Sequence, residues 1–333
     1  MSAWLLRRWY SPHPVWFLIP LAWVFWLISS LRRLAYTLGV VPVVSLSATV
    51  IVVGNISVGG TGKTPFVIWL AQELRKRGRR PGIVTRGYGG DSRIPQLVTS
   101  DSDAKVVGDE AVLLTRYSDS PVAAGHDRVA AAQLLLKSGA VDVILSDDGL
   151  QHYRMARQHE IILIDGSRGL GNGWLLPAGP LRESEVRLEG PQVVIKLTPG
   201  GGFSWPDAAR MRLKVDTAVN LKDGKRRPLH SFSTQRVHAI AGIGNPQQFF
   251  ATLEAAGLHV DARALSDHAV PTAADLEFGD DLPVFMTEKD AVKCTGSALA
   301  RHWYLEAAAD FDAGDATRIL DGVERALARD LKR

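Results

Sequence analysis

The first half of the chain alternates short apolar runs with longer amphipathic stretches. Apolar runs of this length, bounded by Gly, Pro or polar residues, are typical of buried strands, and the longer stretches have helical spacing. Strands are predicted at 49–53, 82–85, 121–124, 141–146 and 160–164, and helices at 64–77, 109–117 and 127–138. Because strands and helices alternate, the pattern predicts an α/β fold, with a mostly parallel sheet covered by helices on both faces.

A change of pattern divides the rest of the chain. Between 199 and 236, Gly- and Pro-rich segments separate short polar strands. An α/β alternation then returns, with a strand at 237–241, a helix at 246–256 and a strand at 283–286. We therefore predict an apolar N-terminal segment over 1–35, a larger domain over 36–212, and a smaller C-terminal α/β domain over 213–333 that is joined through short β-strand linkers.

The N-terminal segment is apolar and rich in tryptophan. The 23 residues between Arg8 and Arg32 contain no Lys, Arg, Asp or Glu, and five of the nine tryptophans lie in the first 26 residues. A helix over 15–31 is roughly 25 Å long, against about 30 Å for the hydrocarbon core of a bilayer. Tryptophan favours the membrane–water interface, although the flanking arginines give no orientation. We predict a membrane-inserted or interfacial anchor; a single span and a buried core helix are the alternatives.

Composition agrees with a globular protein of a reducing compartment. Hydrophobic residues make up 46% of the 333 residues and charged residues 22%, and the single Cys294 excludes an internal disulfide framework. The net charge is +4, with basic clusters in the N-terminal quarter that weakly favour an anionic surface. We expect neither a nucleic-acid partner nor an obligatory protein partner.

A glycine-rich segment joins the first predicted strand to the first predicted helix. It comprises Ser57, Val58, Gly59, Gly60, Thr61, Gly62, Lys63 and Thr64. In such a loop the backbone N–H groups and the helix N-terminus bind the β- and γ-phosphates of a nucleotide, a Lys adds a point charge, and a hydroxyl binds Mg²⁺. Ser57 stands where the usual first residue is Gly. A Gly-rich turn is the alternative, but Pro65 and Gly78 fit the start and end of the helix and favour a P-loop, NTPase-like domain.

Two acidic pairs are candidates for chemistry beside the phosphates. Asp147 and Asp148 end an apolar strand, where an acidic residue of a P-loop protein holds Mg²⁺ directly or through water, although an ordinary acidic turn has the same pattern. Asp109 and Glu110 begin a predicted helix. They would either cap that helix and complement its dipole, or act as a general base and a further metal ligand.

Three further motifs are less specific. His268 lies in a polar stretch, where a lone His is more often structural. Residues 287–290 lack the Lys-x-Asp spacing of a guanine-reading element, because their Lys and Asp are adjacent. A loop over 177–183 presents Arg182 and Glu183, which are either solvated charges or groups at the mouth of the site.

The motifs taken in order resemble those of the tetraacyldisaccharide 4′-kinase family of lipid A biosynthesis. They are Val58–Pro65, Arg86–Gly89, Gly108–Glu110, Asp147–His152, Pro177–Glu183 and Met286–Asp290. The resemblance covers nearly the whole chain, including the apolar N-terminus. It implies an ATP- and Mg²⁺-dependent kinase at the cytoplasmic face of a Gram-negative inner membrane. Such a kinase phosphorylates the 4′-hydroxyl of a tetraacylated glucosamine disaccharide 1-phosphate to form lipid IVA.

The resemblance also implies roles for single residues. Lys63 binds phosphate, and Asp109 with His268 corresponds to the family's Asp–His pair that handles the hydroxyl proton. The residues assigned to the metal are Thr64, Glu110, Asp147 and Asp148, and those assigned to the acylated disaccharide are Gln151, Arg182 and Glu183.

Two other classes of P-loop protein compete with a kinase. A membrane-associated P-loop ATPase would hydrolyse ATP as a switch without a phosphoryl acceptor, but Val58 stands where such ATPases often carry Lys. A GTP-dependent metallochaperone would require a guanine-reading element and a Cys/His metal cluster, and the sequence has neither pattern. The sequence therefore favours the lipid kinase.

Overall fold

The computed structural model describes residues 3–92, 94–266, 269–294 and 299–330. The strands are β1 (Thr49–Gly54), β2 (Pro81–Thr85), β3 (Gln96–Val98), β4 (Val122–Ala124), β5 (Val143–Asp147), β6 (His159–Asp165), β7 (Gln192–Lys196), β8 (Ala209–Asn220), β9 (Arg226–Pro228), β10 (Arg236–Ala241), β11 (His259–Ala264), β12 (Val284–Thr287) and β13 (His302–Phe311). The α-helices are α1 (Ala3–Trp9), α2 (Ile19–Thr37), α3 (Lys63–Lys76), α4 (Ala104–Val107), α5 (Asp109–Ser118), α6 (Arg128–Leu136), α7 (Pro246–Ala255), α8 (Glu288–Lys293) and α9 (Ala313–Asp330). Each strand and helix predicted with bounds between 49 and 286 has a counterpart whose ends lie within two residues of the prediction, whereas the apolar helix expected over 15–31 is α2 and extends further toward the C-terminus.

The strands of the described residues form one mostly parallel sheet, which confirms the predicted fold class. Its order is β11-β10-β12-β13-β8-β7-β6-β1-β5-β2-β4-β3, with β9 beside β8. Antiparallel pairing occurs between β3 and β4, β8 and β9, and β8 and β13. Because β1 lies between its parallel neighbours β5 and β6, the carboxyl ends of these three strands meet at one edge of the sheet.

Strand β1 is the rigid base of this edge. All six of its residues are buried, as expected for a continuous apolar strand covered on both faces. Ile51 and Val53 pack in a core with residues of α3, α5 and α9, whereas Val50 and Val52 pack in a second core with residues of α6. The loop that follows β1 therefore begins at a fixed point.

A long antiparallel pair connects the two halves of the sheet. Strand β8 pairs with β7 at Ala209–Met211 and with β13 over the rest of its length. It is longer than the short polar strands predicted there. Its exposed side chains alternate with buried ones and interrupt the apolar run, so the sequence pattern does not show its full length. The sheet is continuous across residue 212, and α9 packs against the core around β1, so the division at 212 stays a prediction.

Helix α2 lies outside the protein core. Ala22 is its one buried residue, and large apolar side chains face outward, with Trp23 63% and Trp26 52% exposed. Within the described ranges, 16–37 is the one helical segment long and apolar enough to cross a membrane, judged by length and composition. The structure excludes the buried-core alternative for this segment.

Candidate active site

The glycine-rich loop connects β1 to α3, as the sequence predicts. Gly62 has a positive φ of 81° directly before the helix, and a Cβ there would lie 2.8 Å from the Met211 side chain. Gly59 also has a positive φ, of 120°. Non-glycine residues rarely adopt these angles, so the turn requires glycine at both positions. The loop thus directs the N-terminus of α3, with Lys63 and Thr64, into the edge of the sheet.

Asn55 braces this loop from inside, a role that the sequence analysis missed. Its side-chain amide donates to the carbonyl of Ser57 at 2.6 Å and to that of Gly59 at 3.3 Å. Lys63 Nζ donates to Asn55 Oδ1 at 3.2 Å. The signal was a polar residue directly after a buried apolar strand. Asn55 is fully buried, so these bonds fix the loop and aim the lysine.

The segment 177–183 lies along the outer side of the loop. The N–H of Val58 donates to Pro180 O at 2.9 Å, and the N–H of Arg182 donates to Ile56 O at 2.7 Å. These backbone bonds bring Arg182 to the site, where its guanidinium is 3.3 Å from Asp148 Oδ2. The sequence analysis placed Arg182 at the mouth of the site, and its role in binding substrate stays a prediction.

Asp147 and Asp148 end β5 beside the loop, and their environments differ. Asp148 Oδ1 is 3.5 Å from Lys63 Nζ. Burial alone would raise the pKa of Asp148, but Lys63 and Arg182 outweigh it and lower the pKa to about 2. Burial, and then the nearby Glu110 carboxylate, raise the pKa of Asp147 to about 7. The neighbouring cations therefore favour the charged form of Asp148, whereas burial disfavours that of Asp147.

Arg128 supports this pair from beneath and was also missed. Its buried guanidinium donates to the carbonyl of Asp148 at 2.8 Å and to that of Asp147 at 3.3 Å. Asp148 has a positive φ of 48°, an unusual angle outside glycine. The arginine therefore stabilises a strained turn that points two carboxylates at the phosphate loop.

Asp109 and Glu110 begin α5, where they meet two lysines of α8. Glu110 is paired with Lys289, whose ammonium holds the pKa of Glu110 below its usual value against the effect of burial. Lys293 Nζ is 3.5 Å from Asp109 Oδ2. The α8 segment is recognisable in the sequence, but its pairing with α5 is not, because the partners lie about 180 residues apart in the chain. The pairs join α5 to α8 at the site.

Gly108 packs against the Arg86–Gly89 loop beside this site. Gly108 has a φ of 89°, and a Cβ there would lie 2.6 Å from the carbonyl oxygen of Tyr88. The loop after β2 therefore packs directly behind the residue that precedes Asp109. This contact fixes where α5 begins.

Gln151 and Glu183 bind each other rather than projecting separately. Gln151 Nε2 donates to Glu183 Oε1 at 2.7 Å, and the hydroxyl of Tyr153 donates to Glu183 Oε2 at 3.0 Å. Arg33 of α2 lies 3.9 Å from the same carboxylate. Glu183 is buried, so the network connects the end of the apolar helix to the loop after the two aspartates. Their assignment to substrate stays a prediction, and His268 lies outside the described residues.

Comparisons with known proteins agree with this geometry. A sequence model of the tetraacyldisaccharide-1-P 4′-kinase family matches residues 14–325. Among similar proteins, the tetraacyldisaccharide 4′-kinase of Nitrosococcus oceani is 44% identical over 99% of this chain and 97% of its own length. That of Alkalilimnicola ehrlichii is 51% identical over 86% of each chain.

A solved structure extends the similarity to three dimensions. It is LpxK from Aquifex aeolicus, described as an "apo" form in complex with ATP. The TM-score is 0.75 at 26% identity, and the match covers 93% of this chain and 98% of that one. The resemblance predicted from the motifs is thereby confirmed. From its sequence, its fold and the arrangement at the edge of its sheet, the chain belongs to the tetraacyldisaccharide-1-P 4′-kinase family.

Proposed function

We propose that this protein transfers the γ-phosphoryl group of ATP to the 4′-hydroxyl of a tetraacylated glucosamine disaccharide 1-phosphate, which forms lipid IVA. The observation that carries the proposal is the meeting of three elements at one sheet edge. The phosphate loop supplies Lys63, the end of β5 supplies Asp147 and Asp148, and the start of α5 supplies Asp109. A kinase requires such a set, because it must bind phosphate, compensate charge and accept a hydroxyl proton.

Mg²⁺ fits the carboxylates that face the loop. Asp147 Oδ1 is buried and has no hydrogen-bond partner among the described residues, which suits a metal ligand. No group of three or more His, Cys, Asp or Glu side chains in those residues is arranged to hold a metal alone. That agrees with Mg²⁺, which usually takes one or two carboxylates together with phosphate and water. We assign Thr64 and Asp147 to this ion directly, and Glu110 and Asp148, which are paired with cations, to it through water. The ion would supply positive charge at the phosphates.

Proton transfer is assigned to Asp109 acting with His268. Asp109 lies at the helix N-terminus, and Lys293 at 3.5 Å favours its anionic form. An anionic carboxylate beside the acceptor hydroxyl takes its proton as the oxygen attacks phosphorus. Lys63 meanwhile stabilises the charge on the transferring group.

The acceptor is assigned to the cleft between 36–212 and 213–333. Arg182 is assigned to an anionic or hydroxyl group of the acceptor, and Gln151 and Glu183 are assigned to the disaccharide. The charges of Lys289 and Lys293 would reach the cleft from α8.

The membrane surface is assigned to α1 and α2. A four-chain acyl substrate stays in the bilayer, so an enzyme acting on its head group works at the interface. The outward-facing apolar side chains of α2, with Arg32 and Arg33 near its end, fit an anionic head-group layer. We place the protein at the cytoplasmic face of the inner membrane, anchored by this segment.

Labelled ATP tests the proposal. The wild-type protein should move label to the acylated disaccharide, and Lys63→Ala should lower the rate about 10²–10³-fold. Asp109→Ala should lower it about 10²–10⁴-fold with little change in ATP binding. Release of label only as free phosphate, with or without the disaccharide, would instead support the ATPase switch. An Asp109→Ala protein with near-normal transfer would remove this residue from the reaction.

A further inference from the structure

Arg168 is a cation at the phosphate loop that has no carboxylate partner in the described part of the chain. It lies in the turn after β6, where its N–H and that of Gly169 donate to Asp165 O. Five other cations around the site are paired with a carboxylate: Lys63 and Arg182 with Asp148, Lys196 with Asp165, Lys289 with Glu110, and Lys293 with Asp109. Arg168 takes part in none of these ion pairs, so its charge is available to a ligand.

The guanidinium of Arg168 covers Gly59. A Cβ built on Gly59 would lie 2.8 Å from Arg168 Nη1, closer than real contacts allow. Gly59 is the third residue of the loop whose backbone N–H groups face the β- and γ-phosphates. A planar guanidinium at this position can donate two parallel hydrogen bonds to phosphate oxygens. The loop needs glycine here partly to leave room for this arginine.

Tyr10 holds the arginine in place. The guanidinium lies 5.1 Å from the centre of the Tyr10 ring, and the Tyr10 hydroxyl donates to Val58 O at 3.0 Å. The preceding Trp9 is only 2% exposed, and its indole N–H donates to Pro177 O at 2.9 Å. The end of α1 is thus fixed to the phosphate loop, although neighbouring tryptophans such as Trp16 face outward.

We infer that Arg168 binds the γ-phosphate of ATP as an arginine finger supplied by the same chain, and that Tyr10 is its positioning residue. This rests on the phosphoryl transfer proposed above. As the bond from the γ-phosphorus to the bridging oxygen breaks, its electron pair leaves with ADP, a bond to the 4′-oxygen forms, and the hydroxyl proton goes to the base. Arg168 gains or loses no proton; it stabilises the negative charge on the transferring group, as such arginines do in other P-loop proteins.

Nucleotide affinities distinguish a contact of Arg168 with the γ-phosphate from a purely structural role of this residue. The probes are ADP and a non-hydrolysable ATP analogue, measured by calorimetry without lipid. Arg168→Ala should weaken binding of the analogue by roughly tenfold to a hundredfold, the loss expected for a charged hydrogen bond, and change ADP binding less than twofold. Arg168→Lys should recover only part of the loss, because an ammonium lacks the planar fork. If Arg168→Ala weakened the binding of ADP and of the analogue equally, or weakened neither, the inference would be overturned.

Catalysis gives a second readout. With ATP and the acylated disaccharide, Arg168→Ala should lower kcat by about 10³-fold, with a smaller change in the inhibition constant of ADP. Should the variant keep wild-type kcat, the inference fails even though the kinase activity stands. If the wild-type protein transferred no label to the disaccharide, the proposed function would instead be refuted. The ratio of analogue affinity to ADP affinity would still test the role of Arg168.

Tyr10 is tested through a double-mutant cycle. Tyr10→Leu removes the ring beneath the guanidinium and should reduce the preference for the analogue over ADP, whereas Tyr10→Phe keeps the ring and should reduce it less. In the Arg168→Ala background Tyr10→Leu should add little, because the two residues act as one unit. Additive losses would contradict the positioning role. Point variants are needed, because deletion of the N-terminal segment would remove the anchor and Tyr10 together.

Discussion

Charged side chains around the phosphate loop form ion pairs with residues of other secondary-structure elements, not with their neighbours in the sequence. Asp148 holds Lys63 and Arg182 at 3.5 and 3.3 Å, and Glu110 is paired with Lys289. A carboxylate left alone in such a partly buried place is costly, so each pair is a strong constraint on position. The cations are thereby kept at the place where the negative charge of a triphosphate enters.

Gly62→Ala should destabilise the protein and weaken ATP binding. Its φ of 81° strains any other residue, by about 1–3 kcal/mol, and the new Cβ would press on Met211. Urea unfolding without nucleotide measures the first effect. Gly60→Ala is the matched control, because its φ is not positive and a Cβ there meets no atom within 4 Å. Equal stability of the two variants would contradict the argument.

At the scale of elements, β6 and β7 end in a buried ion pair beneath the loop. Lys196 Nζ lies 2.6 Å from Asp165 Oδ2 and donates to Gly60 O at 3.4 Å. Both side chains are almost fully buried. The two strands therefore support the phosphate loop from the side opposite to β5.

Lys196→Met should lower the free energy of unfolding by about 3–5 kcal/mol, because it leaves the Asp165 carboxylate buried and unpaired. The double variant Asp165→Asn/Lys196→Met should recover most of this loss. Urea unfolding at neutral pH measures both. A single variant as stable as the wild type would show that the pair adds no net stability.

The pH dependence of stability gives a further check on the same pair. Burial would raise the pKa of Asp165, but Lys196 outweighs it and lowers the pKa below the usual 3.8. A group with a lowered folded-state pKa stabilises the protein above its unfolded value and stops doing so as the pH falls through the folded one. The wild type should therefore lose more stability than the double variant below about pH 4.

Strands β1 and β5 could be predicted from local sequence, whereas the full length of β8 and the existence of β13 could not. Strands β1 and β5 are buried along their whole length, so their composition alone identified them. Strands β8 and β13 form a ribbon in which buried and exposed positions alternate irregularly. Tertiary contacts decide how these strands pair, and the strand propensities of their residues do not contain that information.

At the scale of the whole molecule, the N-terminal segment has two different faces. Trp9 contacts the segment 177–183 and Tyr10 contacts the phosphate loop, whereas most large apolar side chains of α2 face away from the protein. Tyr10, which contacts the phosphate loop, and Leu21, which begins the outward-facing apolar surface of α2, are consequently about ten residues apart in the chain. With α2 in the membrane, as proposed above, this arrangement would place the site beside a membrane-borne substrate.

Replacing Trp23 and Trp26 by Ala should weaken vesicle binding without changing ADP affinity. Each is more than half exposed, and burying a large apolar side chain contributes about 1.5–3 kcal/mol, so roughly tenfold or more is expected for the pair. Co-sedimentation with vesicles of anionic phospholipid measures it. Ile94→Ala removes an equally exposed apolar group from outside α2 and serves as control. Unchanged partitioning of the double variant would argue against α2 as the membrane surface.

The sequence by itself determined the local chemistry: the strand, the glycine turn, the lysine and hydroxyl that follow it, and the acidic strand end. These depend on neighbours within a few residues, through backbone angles and apolar periodicity. Only the tertiary structure decided that Lys289 meets Glu110 and that Arg168, held by Tyr10, covers Gly59. Such contacts join residues far apart in the chain, and they follow from how the sheet orders its strands and how the helices pack on it.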